Sequence, residues 1–266
     1  MGTRGAFGFI AGEVEKVAYN HFDSYPDGKG VEILQWIRQV VADGKLDEIR
    51  QQAAACRIVS DDVRPTPEDI AALTPYSNLG VSNQSTDDWY CLTHATHGNL
   101  GAMLACGYIE DNASFPLDSL FCEWAYIVDL DAEVFEVYTG FQKSLPKSGR
   151  WAGRPTKAED KKDYEAHIAW CKENGRDPWQ PKVSQHKAVE LLASWPFNEL
   201  PTDEEFLDFF RLARARETVA DGEKYPEEVR ELLAQIKEED LEAEGKLYAA
   251  EWSQIYDDAL KVVSLV

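Results

Sequence analysis

Thr3-Arg4-Gly5-Ala6-Phe7-Gly8-Phe9-Ile10 is an apolar run interrupted by glycines, and Lys16-Val17-Ala18-Tyr19-Asn20-His21-Phe22-Asp23-Ser24-Tyr25 follows it across a turn near Gly12-Glu13-Val14. The first run reads as a strand whose glycines let another backbone come close. The second reads as its antiparallel partner, stopped by Pro26-Asp27, Gly28 and Gly30. With the turn at Glu13-Val14, Arg4 is expected opposite Asp23, and His21 beside Ala6. Alternation along a strand then puts Tyr19, His21, Asp23 and Tyr25 on one side.

Farther along, Cys122–Asp129 and Glu133–Tyr138 are rich in β-branched and aromatic residues and are separated by Leu130-Asp131-Ala132, the pattern of a second hairpin. Between the hairpins the period changes. Val31, Leu34, Ile37 and Val41 recur at helical spacing toward Gly44, Leu46–Ala55 gives a second helix, and Thr66 is placed to cap a turn that begins at Pro67. Gly98–Cys106 reads as a buried small-residue helix closed by Gly107. Pro, Gly and Ser concentrate in 143–156, the natural linker, a composition that equally suits a long surface loop inside a single domain. Beyond it the chain reads as helical throughout: Ala158–Asn174 ending at Gly175, a helix opened by the capping box Thr202–Glu205, another from Pro226, and a last one over Leu247–Val263. The expected fold is α+β: an antiparallel sheet of two hairpins packed on helices in 1–142, a linker over 143–156, and an all-helical C-terminal region over 157–266.

The chain has 266 residues, with 27 Lys and Arg against 48 Asp and Glu, for a formal charge of −21. The surplus is spread along it: 11 basic and 22 acidic residues in 1–150, 16 and 26 in 151–266. That balance argues against a general nucleic-acid binder and disfavours anionic membranes, since both need clustered Lys and Arg. No apolar run approaches the ~18 residues of a membrane span, and no secretion signal opens the chain. Cys56, Cys91, Cys106, Cys122 and Cys171 are odd in number and unpaired in spacing, as in a reduced, cytoplasmic protein.

Met1-Gly2-Thr3-Arg4-Gly5 together with Tyr19-Asn20-His21-Phe22-Asp23-Ser24-Tyr25-Pro26-Asp27-Gly28-Lys29-Gly30 resembles a family of uncharacterised proteins of bacteriophages and bacteria. These begin Met-Gly-Thr-Arg and carry an aromatic-Asp-x-Tyr-Pro-x-Gly-x-Gly segment. Gly98–Cys106 and Cys122–Tyr138 look like the family's small-residue helix and aromatic hairpin, so the resemblance covers about residues 1–140. It implies a phage origin and an accessory, host-directed role in the host cytoplasm; it brings no activity.

Arg4, His21, Asp23 and Tyr25 are the candidate ligand-binding residues. The guanidinium would hold an anionic group and lower the pKa of Asp23, and the imidazole would exchange protons. The same residues also suit a scaffold that ties the first strand to the following turn. Cys91, His94 and His97 are zinc-ligand types, but their spacing of three on one helix winds around the axis, and a fourth ligand such as Cys106 would have to come from elsewhere. Cys91 or Cys106 beside a histidine is an unspecific nucleophile pattern. Removal of Met1 would expose Gly2, which supplies no N-terminal nucleophile. Gly98-Asn99-Leu100-Gly101 lacks the Lys-Ser/Thr ending of a phosphate loop, so no cofactor is expected.

Three functions stay open. The first is an accessory protein that binds a host protein through an acidic, aromatic-rich surface, with Trp151, Trp179 and Trp195 in Pro/Gly-flanked loops as anchors or as cover for a seam. The second is a small-ligand binder or hydrolase with a polar site beside the N-terminal hairpin. The third is a structural component of a virion.

Overall fold

β1 (Gly5–Ala11) is buried along its whole length, as expected of a strand covered on both faces and paired on both edges. In the computed structural model, which describes residues 2–154, 168–175 and 186–220, it lies inside a five-stranded sheet of order β2-β1-β5-β6-β7. The other strands are β2 (Val14–Asn20), β5 (Trp124–Asp129), β6 (Val134–Thr139) and β7 (Glu190–Pro196). Both expected hairpins form, and a parallel β1–β5 pair joins them, so the sheet is mixed and mostly antiparallel. The segments between β2 and β5 make up the crossover that a parallel pair requires.

The hairpin register differs from the expected one by two residues. Gly12 and Glu13 both have positive φ, 61° and 62°, and form a two-residue turn that pairs Ala11 with Val14 and Gly5 with Asn20. The carboxylate of Asp131 accepts both turn N–H groups, at 3.1 and 2.8 Å. Placing the turn one residue late displaced every partner by two, which is why Arg4 does not face Asp23. Gly8 shows what the β1 glycines are for: a Cβ there would stand 2.1 Å from the carbonyl oxygen of Lys16.

One sheet face carries α1 (Val31–Ala42) and α2 (Leu46–Ala55). Ile33, Leu34, Ile37 and Val40 form the buried stripe of α1, and Phe9 of β1 meets Trp36 at 5.9 Å between ring centroids. Lys16, level with Phe9, is buried on this side, and its Nζ donates to the carbonyls of Ala53, Ala54 and Cys56 at the end of α2, at 2.6–2.7 Å. The ammonium thus closes the negative end of a helix.

The opposite face packs Ala6, Ile10, Val17, Ala125, Ile127 and Tyr138 under Trp151, Ala188 and Val189. Residues 143–154, expected as a linker, are a strap on this face. Arg150 ion-pairs with Asp129 and Glu136, and Arg154 forks onto Glu15. Trp151 is sealed against Tyr138, and Trp195 lies buried in β7, stacked on Phe135, so neither is a loop anchor; Trp179 lies outside the described residues. β7 also departs from the all-helical expectation for 157–266: the short apolar run Leu191-Leu192-Ala193 fits a strand or a helix, and the edge of β6 selects the strand.

A smaller parallel pair, β3 (Arg57–Val59) with β4 (Tyr108–Glu110), gathers Leu73, Trp89 and Leu92 into a second core. Around it lie α3 (Pro67–Leu73), capped reciprocally by Thr66 and Asp69, α4 (Trp89–Thr93), and α5 (Leu100–Cys106), which ends at Gly107 with φ 73°. The chain divides after Leu200 into two compact units. In the second, α6 (Asp203–Ala220) opens with the expected Thr202–Glu205 box. The helices expected from Pro226 and over Leu247–Val263 lie outside the described residues.

Candidate functional site

β2 stops at Asn20, and the residues after it leave the sheet as a knuckle. Asp23 has φ 54°, which breaks the expected alternation of side chains. The Asn20 amide donates to Ser24 Oγ at 2.8 Å and to the Phe22 carbonyl. The Ser24 N–H reaches Thr3, the Lys29 N–H reaches the Asp23 carbonyl, and the Tyr126 hydroxyl donates to the Ser24 carbonyl at 2.8 Å. Ser24 and Pro26 are thereby buried, while Phe22, Asp23, Tyr25 and Asp27 face water. The Pro26–Gly30 turn then leads into α1.

Among the four residues expected to form a polar site, no hydrogen bond, ion pair or ring contact links any two. Arg4 lies over the Phe121 ring at 4.9 Å and makes no ion pair with Asp23. His21 Nδ1 meets the Tyr19 hydroxyl at 2.6 Å, and its ring abuts Phe22. Asp23 and Tyr25 are both exposed on the knuckle.

What the sequence did not show is how many loops meet at this end of the sheet. Backbone hydrogen bonds run Ser24–Thr3, Glu123–Arg4, Gly140–Glu123, Phe141–Ser119, Ser119–Lys187 and Lys187–Gln142, stitching the starts of β1 and β5 to the ends of β2 and β6. These loops carry four exposed rings: Phe22 at 57 %, Tyr25 at 50 %, Phe121 at 43 % and Phe141 at 55 %. Nearby acids are Asp23, Asp27, Asp118 and Glu123. Phe121 and Phe141 each sit just outside a strand, where alternation has already ended and predicts no direction for a side chain.

Cys91, His94 and His97, of zinc-ligand type but not expected to converge, do not form one set. Cys91 Sγ turns to the Val81 carbonyl and Asp88, whereas His94 and His97 flank Tyr90. Among the described residues no group of three or more His, Cys, Asp or Glu side chains is arranged to hold a metal. His97 instead approaches Glu110 of β4, Nε2 to Oε2 3.9 Å, with side-chain exposures of only 8 % and 14 %. His97 Nδ1 and Glu110 Oε2 have no hydrogen-bond partner. Burial, reinforced by the charges of Asp61 and Asp88, pushes Glu110 up to about 7; burial, then His94, pulls His97 down to about 4. At neutral pH the imidazole is therefore uncharged, and the carboxyl is close to half protonated. Glu110 also lines a cavity of about 600 Å³ with Asp61, Ser82, Asn83, Asp87, Asp88 and Tyr90. Arg4, His21, Asp23 and Tyr25 take no part in that cavity.

Comparison with protein-family models, with curated proteins and with solved structures finds no match to this chain. The fold and site define an acidic α+β protein with a mixed sheet and an aromatic sheet end. No helix among the described residues is long and apolar enough to cross a membrane.

Proposed function

We propose that this chain is a phage-type accessory protein that acts by binding a host protein through an acidic, aromatic-rich surface. The observation that carries the reading is the set of four exposed rings on adjoining loops at one end of the sheet. Aromatic side chains are strong anchors at protein interfaces and are rarely left in water at this density without a use. The charge of −21 adds steering toward a basic partner and repels nucleic acid. The phage origin rests on the N-terminal resemblance alone.

The test is affinity capture from host extract, with the full chain compared against a Phe22→Ser/Phe121→Ser/Phe141→Ser variant. The control is Val63→Ser/Leu79→Ser, which removes exposed apolar groups from another segment. A stoichiometric partner held by the wild type and the control and lost from the triple variant is the expected result. Retention by the triple variant refutes the surface.

A second reading, small-ligand binding, is favoured by the cavity at Glu110, which Arg4, His21, Asp23 and Tyr25 do not line. Its signature is a small cationic molecule that raises the melting temperature of the wild type and fails to do so after Glu110→Gln.

A further inference from the structure

Glu110, the last residue of β4, lines the cavity of about 600 Å³, yet its Oε2 is sealed from solvent and has no hydrogen-bond partner. His97 Nε2 stands 3.9 Å from that oxygen, beyond hydrogen-bond reach. We infer that Glu110 is a proton-operated gate between the cavity and His97. With its proton the carboxyl stays folded against the imidazole; without it the carboxylate turns into the cavity and opens His97 to solvent. The inference concerns the cavity wall and is independent of the protein-binding surface.

Three observations carry it. First, the elements packed around β4 bring no cation to the carboxyl. β3 brings Arg57, ion-paired with Asp69, and Asp61 follows it; β2 brings Glu15, held by Arg154, Lys16, held by the end of α2, and Tyr19. α4 and its cap bring Asp88, Tyr90 and Cys91, the corner after it His94 and His97, and α5 only Cys106. Burial, then the charges of Asp61 and Asp88, therefore holds Glu110 up to about 7; the Asn112 side chain favours the charge and is outweighed. Second, an unpaired carboxylate is costly to keep buried, and the cavity that Glu110 already lines gives it a short way to water. Third, His97 does not hold an ionised Glu110 in place. Its side chain is 8 % exposed, and burial, then His94, pulls it down to about 4, so the imidazole resists the proton that an ion pair would need.

The experiment treats the full chain with diethyl pyrocarbonate, which acylates neutral imidazoles, and follows the His97 peptide by mass spectrometry between pH 5.5 and 8. His97 stays neutral over that range, so its rate reports access rather than its own titration. Each wild-type rate is divided by that of Glu110→Gln at the same pH, which cancels hydrolysis of the reagent; the uncharged amide keeps the gate shut. The proton is held near 7 in the closed state and near the ordinary 4.5 in the open one, so the ratio should rise about tenfold or more from pH 5.5 to 8. Glu110→Ala has no carboxyl to close the gate and should react at pH 5.5 at least as fast as the wild type at pH 8.

A ratio that stays flat within about twofold overturns the inference. So does slow, pH-independent reaction of Glu110→Ala, since His97 is then shielded by something other than Glu110. Loss of wild-type structure by circular dichroism over the same pH range overturns it too, because His97 then reacts through unfolding. If Glu110→Gln does not fold, N-acetylhistidine, corrected for its own titration, replaces it as the reference, and the same rise in the wild type is required.

Discussion

Removing Glu110 and removing His97 should tilt the pH dependence of stability in opposite directions. In the folded chain Glu110 titrates near 7 rather than the ordinary 4.5, so folding favours its neutral form. Its contribution to stability is complete below about 4.5 and is lost as pH rises to 7. Each pH unit between the two values is worth about 1.4 kcal/mol, for a total of about 3 kcal/mol. His97 titrates near 4 rather than 6.5, so folding also favours its neutral form. That contribution is complete above about 6.5 and is lost as pH falls to 4, again about 3 kcal/mol. Between pH 4.5 and 6.5 the two slopes oppose and nearly cancel, because unfolding there passes one proton from the carboxyl to the imidazole.

Glu110→Gln leaves the His97 slope alone, and this variant should lose stability relative to wild type on acidification. His97→Gln leaves the Glu110 slope and should gain. Urea unfolding followed by tryptophan fluorescence at pH 4.5, 5.5 and 6.5, at constant ionic strength, reads the difference. Variant-minus-wild-type differences that stay flat within about 1 kcal/mol across that range would refute the argument that these two groups are buried in their neutral forms.

Lys16→Met takes the ammonium from three carbonyls at the end of α2, two of them buried, and should cost about 3 kcal/mol, read as a lowered urea midpoint. Gly8→Ala forces a Cβ onto the Lys16 carbonyl and should destabilise by more than about 3 kcal/mol or abolish soluble expression. Phe22→Ser and Tyr25→Ser touch only exposed rings, and each should leave stability within about 0.5 kcal/mol of wild type in the same unfolding assay.

The hairpins, the caps at Thr66 and Thr202, and the stops at Gly107 and Gly175 were legible because each is encoded within a few neighbouring residues. Their assembly was not. Nothing in Gly5–Ile10 or Trp124–Asp129 states that the two run parallel side by side, because periodicity fixes which way a side chain faces and says nothing of the neighbouring strand. The anchoring of the strap was hidden for a different reason. Its Pro, Gly and Ser content has the composition of a linker, while three residues within it, Arg150, Trp151 and Arg154, do the anchoring. At the sheet end, the aromatic-Asp-x-Tyr-Pro segment forms the knuckle after β2. The idea of a shared strand face failed at one backbone angle, that of Asp23. The Glu110–His97 approach had no local signal, since α5 and the β3–β4 pairing bring the two together.

The parallel joint between β1 and β5 also sets a timetable for biosynthesis. Gly5 waits for Trp124, so the inner edge of the first hairpin stays unpaired while more than a hundred further residues leave the ribosome. At ~5–20 residues per second that is on the order of ten seconds of nascent chain with a bare apolar edge. Such an edge invites pairing with other chains, and closing so long a loop is slow. Chaperone demand should therefore fall sharply once residues 124–129 have emerged.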